Sequence, residues 1–252
     1  MDNVEDIFDT LESNNVAFED FDNKPKFNND NSNNNFSNNQ NFKNKFKKES
    51  LWDKTDFKPT LIDPIKLQSK ANSYMFYDYI ANDNKTGIDE TTVKMIESVC
   101  RSLKSRDYKF RHNNSADDKV ANTILKIEGI VTESYLPWGK YNTNIQQPKR
   151  GIPSKEAYSI AMAYHKKFKE LPPAIRAILA CHVNALLGDD CTDPVNFMLC
   201  WTECGSTDPK AKFDFKKVGN LPFLLKICED ANIPVFNFKN KDALTNLKGL
   251  LV

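Results

Sequence analysis

The chain has 252 residues, a net charge of +1, 27% charged and 40% hydrophobic residues, room for one domain of roughly 180 to 200 residues beside a tail. No window approaches the roughly 18 uninterrupted apolar residues that a membrane span needs, and the start MDNVEDIFD lacks the basic and apolar regions of a secretory signal, so the expectation is a non-membrane protein that stays in the cytoplasm. Six cysteines without regular spacing read as reduced, mostly buried thiols and not as a disulfide framework.

Residues 1–22 contain eight Asp or Glu and no Lys or Arg, which leaves a charge of +9 on residues 23–252. A body that basic has some affinity for polyanions. Within the acidic stretch Val4, Ile7, Phe8 and Leu11 recur at helical spacing, followed by Phe18 and Phe21. The pattern fits a peptide that folds on a partner protein, or equally a helix packed on its own domain. From Asn28 to Asn44 ten of seventeen residues are Asn, and such a stretch cannot bury enough apolar surface to offset its ordering entropy. Residues 23–50 therefore read as a disordered linker that ends in a solvated basic run, Lys43, Lys45, Lys47 and Lys48. The folded domain is assigned to residues 51–252.

Tyr74 to Ile80 is a β-rich run. Asp89 can cap a helix whose apolar positions Val93, Ile96, Val99, Cys100 and Leu103 form one buried stripe. A short strand from Tyr108 to Arg111, a helix from Ala116 to Ile127 and a strand from Gly129 to Leu136 follow, and the polar segment Trp138 to Pro153 is a loop. Helices are expected over Ser154 to Lys169 and Pro172 to Leu187, the second starting at proline and stopping at Gly188. Val195 to Trp201 is a nearly continuous apolar run, as in a strand buried on both faces. After a loop of about eighteen residues come a helix from Leu221 to Ala231, a strand from Ile233 to Phe238 and a helix from Asp242 to Leu250. This alternation predicts a doubly wound, Rossmann-like α/β fold with a mostly parallel sheet of about five strands. Ligands of such sheets bind at the carboxyl ends of the strands, which directs attention to the loops after Ile80, Arg111, Leu136 and Trp201.

Particular residues then suggest a family. The run DYKFRHNNSADD over residues 107–118, followed by YLPW at 135–138, resembles the Rossmann-like SLOG superfamily, which includes DprA and the LOG phosphoribohydrolases. It is most similar to a branch common in bacteriophage genomes. Leu186 to Gly188, Pro194, Cys200 to Thr202 and Ile233 to Asn237 fall in the order of that branch's further motifs, so the resemblance spans roughly residues 74–240. It implies a nucleotide cleft lined by Arg111, His112, Asn113, Asn114, Ser115, Asp117, Trp138, Trp201, Thr202, Gly219 and Asn220.

The departures from the family pattern bear on activity. A glycine pair after a strand lets backbone N–H groups approach a phosphate, and side chains there obstruct it. Asn113 and Asn114 replace that pair, Val218-Gly219-Asn220 keeps one glycine of a G-G-T element, and Ile80-Ala81-Asn82 replaces a G-S-R element. Asparagine tolerates positive φ, so the turn can keep its shape while the pocket narrows. Asp117 and Asp118 sit at a helix start, where capping alone explains them. No Arg and Glu pair stands at the helix start Leu221, Pro222 and Phe223, where LOG-type enzymes assist N-glycosidic cleavage.

Of the three histidines, His112 is placed for a ligand contact, whereas His165 and His182 fall on predicted helices and read as packing or surface residues. Cys181, His182, Cys191, Cys200 and Cys204 lie close in sequence but without a zinc knuckle, so no metal and no cofactor is expected. Trp138 and Trp201, at strand ends, can stack on a base or plug the altered pocket. Lys140, Tyr141, Lys149 and Arg150 form a basic and aromatic loop surface for a phosphate backbone, extended by Lys210, Lys212, Lys216 and Lys217 after Trp201.

The leading functional expectation is a non-catalytic, DprA-like, phage-encoded binding protein that engages single-stranded nucleic acid or a nucleotide-derived ligand at the carboxyl edge of its sheet. A virion-associated scaffold that docks a protein partner through residues 1–22 is the second reading, and a nucleoside-monophosphate phosphoribohydrolase the third. A homo-oligomer is compatible with each.

Overall fold

The computed structural model of the chain describes residues 57–79, 87–113, 119–138, 149–150 and 153–251, all of them in one compact unit, Phe57–Val252. The acidic peptide and the linker expected over residues 1–50 lie outside the described residues.

Among the described residues six strands form one sheet: β1 Ser73–Asp78, β2 Lys109–His112, β3 Thr132–Tyr135, β4 Lys149–Arg150, β5 Phe197–Trp201 and β6 Val235–Asn237. Their order is β4-β3-β2-β1-β5-β6, and every pairing is parallel. The helices are α1 Glu90–Lys104, α2 Lys119–Leu125, α3 Lys155–Tyr164, α4 Pro173–Leu187, α5 Phe215–Val218, α6 Leu221–Asp230 and α7 Ala243–Leu250. The doubly wound α/β class expected from the apolar pattern is thus the observed one, with one more strand than anticipated. The additional strand, β4, has two residues inside the segment expected to be a loop, and α5 is a single turn inside the loop after β5. Neither is long enough to leave a periodic signal. The helix expected to reach Lys169 stops at Tyr164, where His165 turns extended and its buried ring meets Phe168 at 6.5 Å.

On one face of the sheet Tyr74, Phe76, Phe110, Phe197 and Leu199 pack beneath α1, α2 and α7. The Tyr74 ring lies stacked between Phe110, at 5.4 Å, and Phe197, at 6.0 Å. α1 forms because Asp89 accepts from the Thr92 N–H at 2.8 Å and the Thr92 hydroxyl at 2.6 Å, while Ile96, Val99, Cys100 and Leu103 turn one stripe inward. On the other face α4 lies across β1, β2 and β3 and is covered in turn by α3 and α6. That position explains why α4 is buried nearly all round, from Leu179 to Leu187. It ends at Gly188, whose φ of 77° favours glycine and where an added methyl group would crowd Asp193 at 3.1 Å.

The connection from α4 to β5 is held by a buried cation. Arg111, 2% exposed, donates to Glu133 Oε2 at 2.8 Å on the neighbouring strand, and to the Asp193 backbone oxygen at 2.6 Å and carboxylate at 2.5 Å. Asp193 also accepts from the Lys70 N–H at 2.7 Å. Removing one member of such a set strands the others as uncompensated buried charge. Arg111→Ala is therefore expected to cost about 3–5 kcal/mol, read as a lower urea midpoint at unchanged slope. The triple change Arg111→Met, Glu133→Gln and Asp193→Asn is expected to recover part of that loss.

Candidate functional site

The direction of strand addition reverses at β1, which has β2 on one side and β5 on the other. In open parallel sheets this reversal opens a crevice at the carboxyl ends of the two diverging strands. Tyr77, near the end of β1, reaches across it. Its hydroxyl donates to the Val218 backbone oxygen at 3.1 Å and accepts from the Asn220 N–H at 2.8 Å. Gly219, between them, has a φ of 54°, and a methyl group there would meet the Tyr77 hydroxyl at 2.7 Å and run into the Tyr79 ring. The glycine retained in the Val218-Gly219-Asn220 turn is therefore required by two tyrosine side chains of the chain itself.

His182, from α4, stands behind this turn. Its ring meets Tyr77 edge-on at 5.7 Å, and its Nε2 lies 3.3 Å from Asn113 Nδ2 and 3.4 Å from Asn220 Nδ2. An amide nitrogen only donates, so Nε2 is the acceptor and Nδ1 carries the hydrogen. Nδ1 is buried and has no hydrogen-bond partner among the described residues. Burial alone pushes the His182 pKa down to about 4, so the imidazole is neutral at pH 7, as an accepting Nε2 requires. The site thus gathers Tyr77 from β1, Asn113 after β2, His182 from α4 and Asn220 at the start of α6, where no side chain caps the helix.

The other candidate residues are placed differently. The Arg111 guanidinium is engaged with Glu133 and Asp193, toward the segment that enters β5 and away from the crevice. His112 stacks on Phe110 at 4.9 Å on the α1 and α2 face, with Nε2 2.7 Å from Ser134 Oγ. A serine hydroxyl on an imidazole nitrogen has the form of a nucleophile and its base. Both residues are fully buried, however, and burial pushes the His112 pKa down to about 4. Trp201 belongs to the apolar core, where it packs with the Lys239 ammonium 5.8 Å from its ring, and Trp138 is half-buried after β3. Thr202 is held by Asn237, which donates to the Thr202 hydroxyl at 2.9 Å and accepts from its N–H at 3.4 Å.

Lys210 and Lys217 form ion pairs with Glu229 at 3.6 Å and Glu203 at 3.7 Å, while Lys212 and Lys216 are exposed. Asn114, Ser115, Asp117, Lys140 and Tyr141 lie outside the described residues, and Lys149 and Arg150 are described by their backbone as β4. The structure therefore unites Asn113, Gly219 and Asn220 from the sequence-based set and adds Tyr77, Tyr79 and His182. The available signal for His182 was its place, with Asn184, as a polar interruption of the apolar run from Ala177 to Leu187. Tyr77 carried no signal beyond its strand.

Among the described residues the chemistry on offer is hydrogen bonding by uncharged groups. At the end of β1 the Asp78 carboxylate turns to the opposite face, where it accepts from the Val120 N–H at 3.3 Å. Among the described residues no group of three or more His, Cys, Asp or Glu could hold a metal ion, and no helix is long and apolar enough to cross a membrane. No protein-family model, curated protein or solved structure matches the chain.

Two outcomes are expected from these contacts. Gly219→Ala combines positive-φ strain with a clash against the tyrosines and is expected to cost about 1–3 kcal/mol or more, measured as a lower thermal midpoint. His112, His165 and His182 each have a folded-state pKa of about 4, against about 6.5 when unfolded. The unfolded chain therefore binds more protons between these values, so their stabilising neutrality is complete above pH 6.5 and is lost as pH falls toward 4. Denaturant midpoints taken from pH 7 to pH 5 are expected to fall, and His182→Gln is expected to flatten that slope by about a third.

Proposed function

We propose that this protein is a non-catalytic binding protein that holds a nucleotide-derived ligand in the crevice at the carboxyl ends of β1, β2 and β5, as a SLOG-type domain with altered phosphate-facing turns. The observation that carries the reading is the convergence of Asn113, His182 and Asn220 from three separate elements at the point where strand order reverses. Side-chain amides pair naturally with the donor and acceptor edges of a nucleobase. An imidazole buried and neutral at pH 7 is a poor proton shuttle, since efficient acid–base groups titrate near the working pH. Six unpaired cysteines support a reducing compartment, the cytoplasm.

Isothermal titration of the full chain with a panel of nucleobases, nucleosides and nucleotides at pH 7.5 tests the proposal. Micromolar binding is expected for at least one compound, weakened about tenfold or more, a loss near 1.4 kcal/mol, by His182→Ala or Asn220→Ala. Chromatography of the same mixtures is expected to show no release of free base. Absence of binding across the panel, or base release that the variants abolish, would overturn it.

A further inference from the structure

The usual place for a phosphate in a fold of this kind is the glycine turn that opens a helix, where backbone N–H groups point at the anion. Here the protein fills that place with its own side chains. The Asn220 N–H donates to the Tyr77 hydroxyl, and the same hydroxyl donates to the Val218 oxygen. Two residues further on, Pro222 has no N–H to offer. The close approach that Gly219 would give a phosphate is taken by the rings of Tyr79 and Tyr77. The Tyr77 oxygen sits where a phosphate oxygen would otherwise accept, so an anion arriving there meets a paired amide and an aromatic wall.

The charges around the turn point the same way. His182 is neutral, and no charged side chain contributes to the lowering of its pKa. Arg111, the buried cation of the sheet, spends its donors on Glu133 and Asp193. Lys216 and Lys217, the described cations just before Gly219, are both exposed at the surface and not buried beside His182, and Lys217 pairs with Glu203. Desolvating a phosphate dianion without a cation to receive it is costly. What the described residues present there instead is the pair of side-chain amides of Asn113 and Asn220, held beside the His182 ring at 3.3 and 3.4 Å. Each amide keeps a carbonyl oxygen and a second N–H for another partner, the complement of a lactam or amidine edge.

We infer that the ligand class of this crevice is the neutral heterocycle, a nucleobase or nucleoside, and that Tyr77 excludes its phosphate ester by occupying the Asn220 N–H. The inference rests on the reading of the crevice as a site for a nucleotide-derived ligand, and it narrows that reading.

Titration calorimetry on the full chain with adenosine, guanosine, cytidine and uridine, each against its 5′-monophosphate, separates the two. One nucleoside is expected to bind at least about tenfold tighter than its monophosphate. Tyr77→Phe, which releases the Asn220 N–H, is expected to shrink that ratio by strengthening the monophosphate. A monophosphate that binds the unmodified protein as tightly as its nucleoside, or tighter, would overturn the inference while leaving the crevice as a nucleotide-type site. An unchanged ratio in folded Tyr77→Phe would also overturn it. No binding of any of the eight compounds would overturn the inference and the site together. Should Tyr77→Phe fail to fold, the ratio measured on the unmodified protein decides.

Discussion

A guanidinium buried in the sheet must be neutralised where it stands, and that requirement organises this fold. Arg111 projects from the third position of β2, meets Glu133 directly across the strand pair, and finds its remaining partners in the backbone oxygen and carboxylate of Asp193. Asp193 belongs to the connection by which the chain, having laid down β2, β3 and β4 on one side of β1, returns to place β5 on the other. The ion set therefore pins the returning segment against the strands it crosses. Further on in the same connection the Asn196 side chain accepts from the Ser73 N–H at 2.8 Å and the Asn196 backbone N–H donates to the Ser73 oxygen, which brings β5 into register beside β1. The reversal of strand order is a consequence of this closure, and the crevice is a consequence of the reversal.

The same closure decides what the crevice contains. With Arg111 turned toward the connection, no strand-borne cation is left at the carboxyl ends of β1 and β2 among the described residues. α4 lies over this region between the sheet and the α3 and α6 layer, so its polar residues are the ones available to the crevice. Asn184 is consumed in closing α4, donating to the Gly188 oxygen at 2.7 Å and accepting from the Ser154 N–H at 3.1 Å. His182, one half-turn earlier, faces the strand ends. A buried ring nitrogen without a partner costs on the order of 1–3 kcal/mol, and native proteins retain such groups mainly where something other than stability is served.

How much of this could be read from the amino acids depends on the length scale of each signal. α1 and β5 were legible because their patterns run over whole elements, a stripe at three and four residues in the first and an unbroken apolar run in the second. β4 and α5 were not, because two residues of strand and one turn of helix are set by neighbours distant in sequence. Asn113, Gly219 and Asn220 were singled out because they stand where the resembled family carries its phosphate-facing glycine motifs, a signal local in sequence. Arg111 was assigned to the same cleft by the same reasoning, and its commitment elsewhere depends on Asp193, 82 residues away in the chain.

The two buried histidines beside the sheet show why residue type and position could not settle the site. His112 ends a strand, on the edge where ligands bind, and is absorbed into a core of Phe110 and Ser134 because its alternation places it on the α1 and α2 face. His182 lies on a helix where it reads as a packing or surface residue, and it meets Tyr77, Asn113 and Asn220 because that helix spans the opposite face. The alternation of β2 sends Arg111 toward α4 and His112 away from it, a one-residue difference that inverts every side chain on a strand. Membership of the candidate site is therefore a property of which face a residue takes at the carboxyl edge. Asn113, the residue after His112, falls on the Arg111 side of the same alternation, which turns its amide toward α4 and His182.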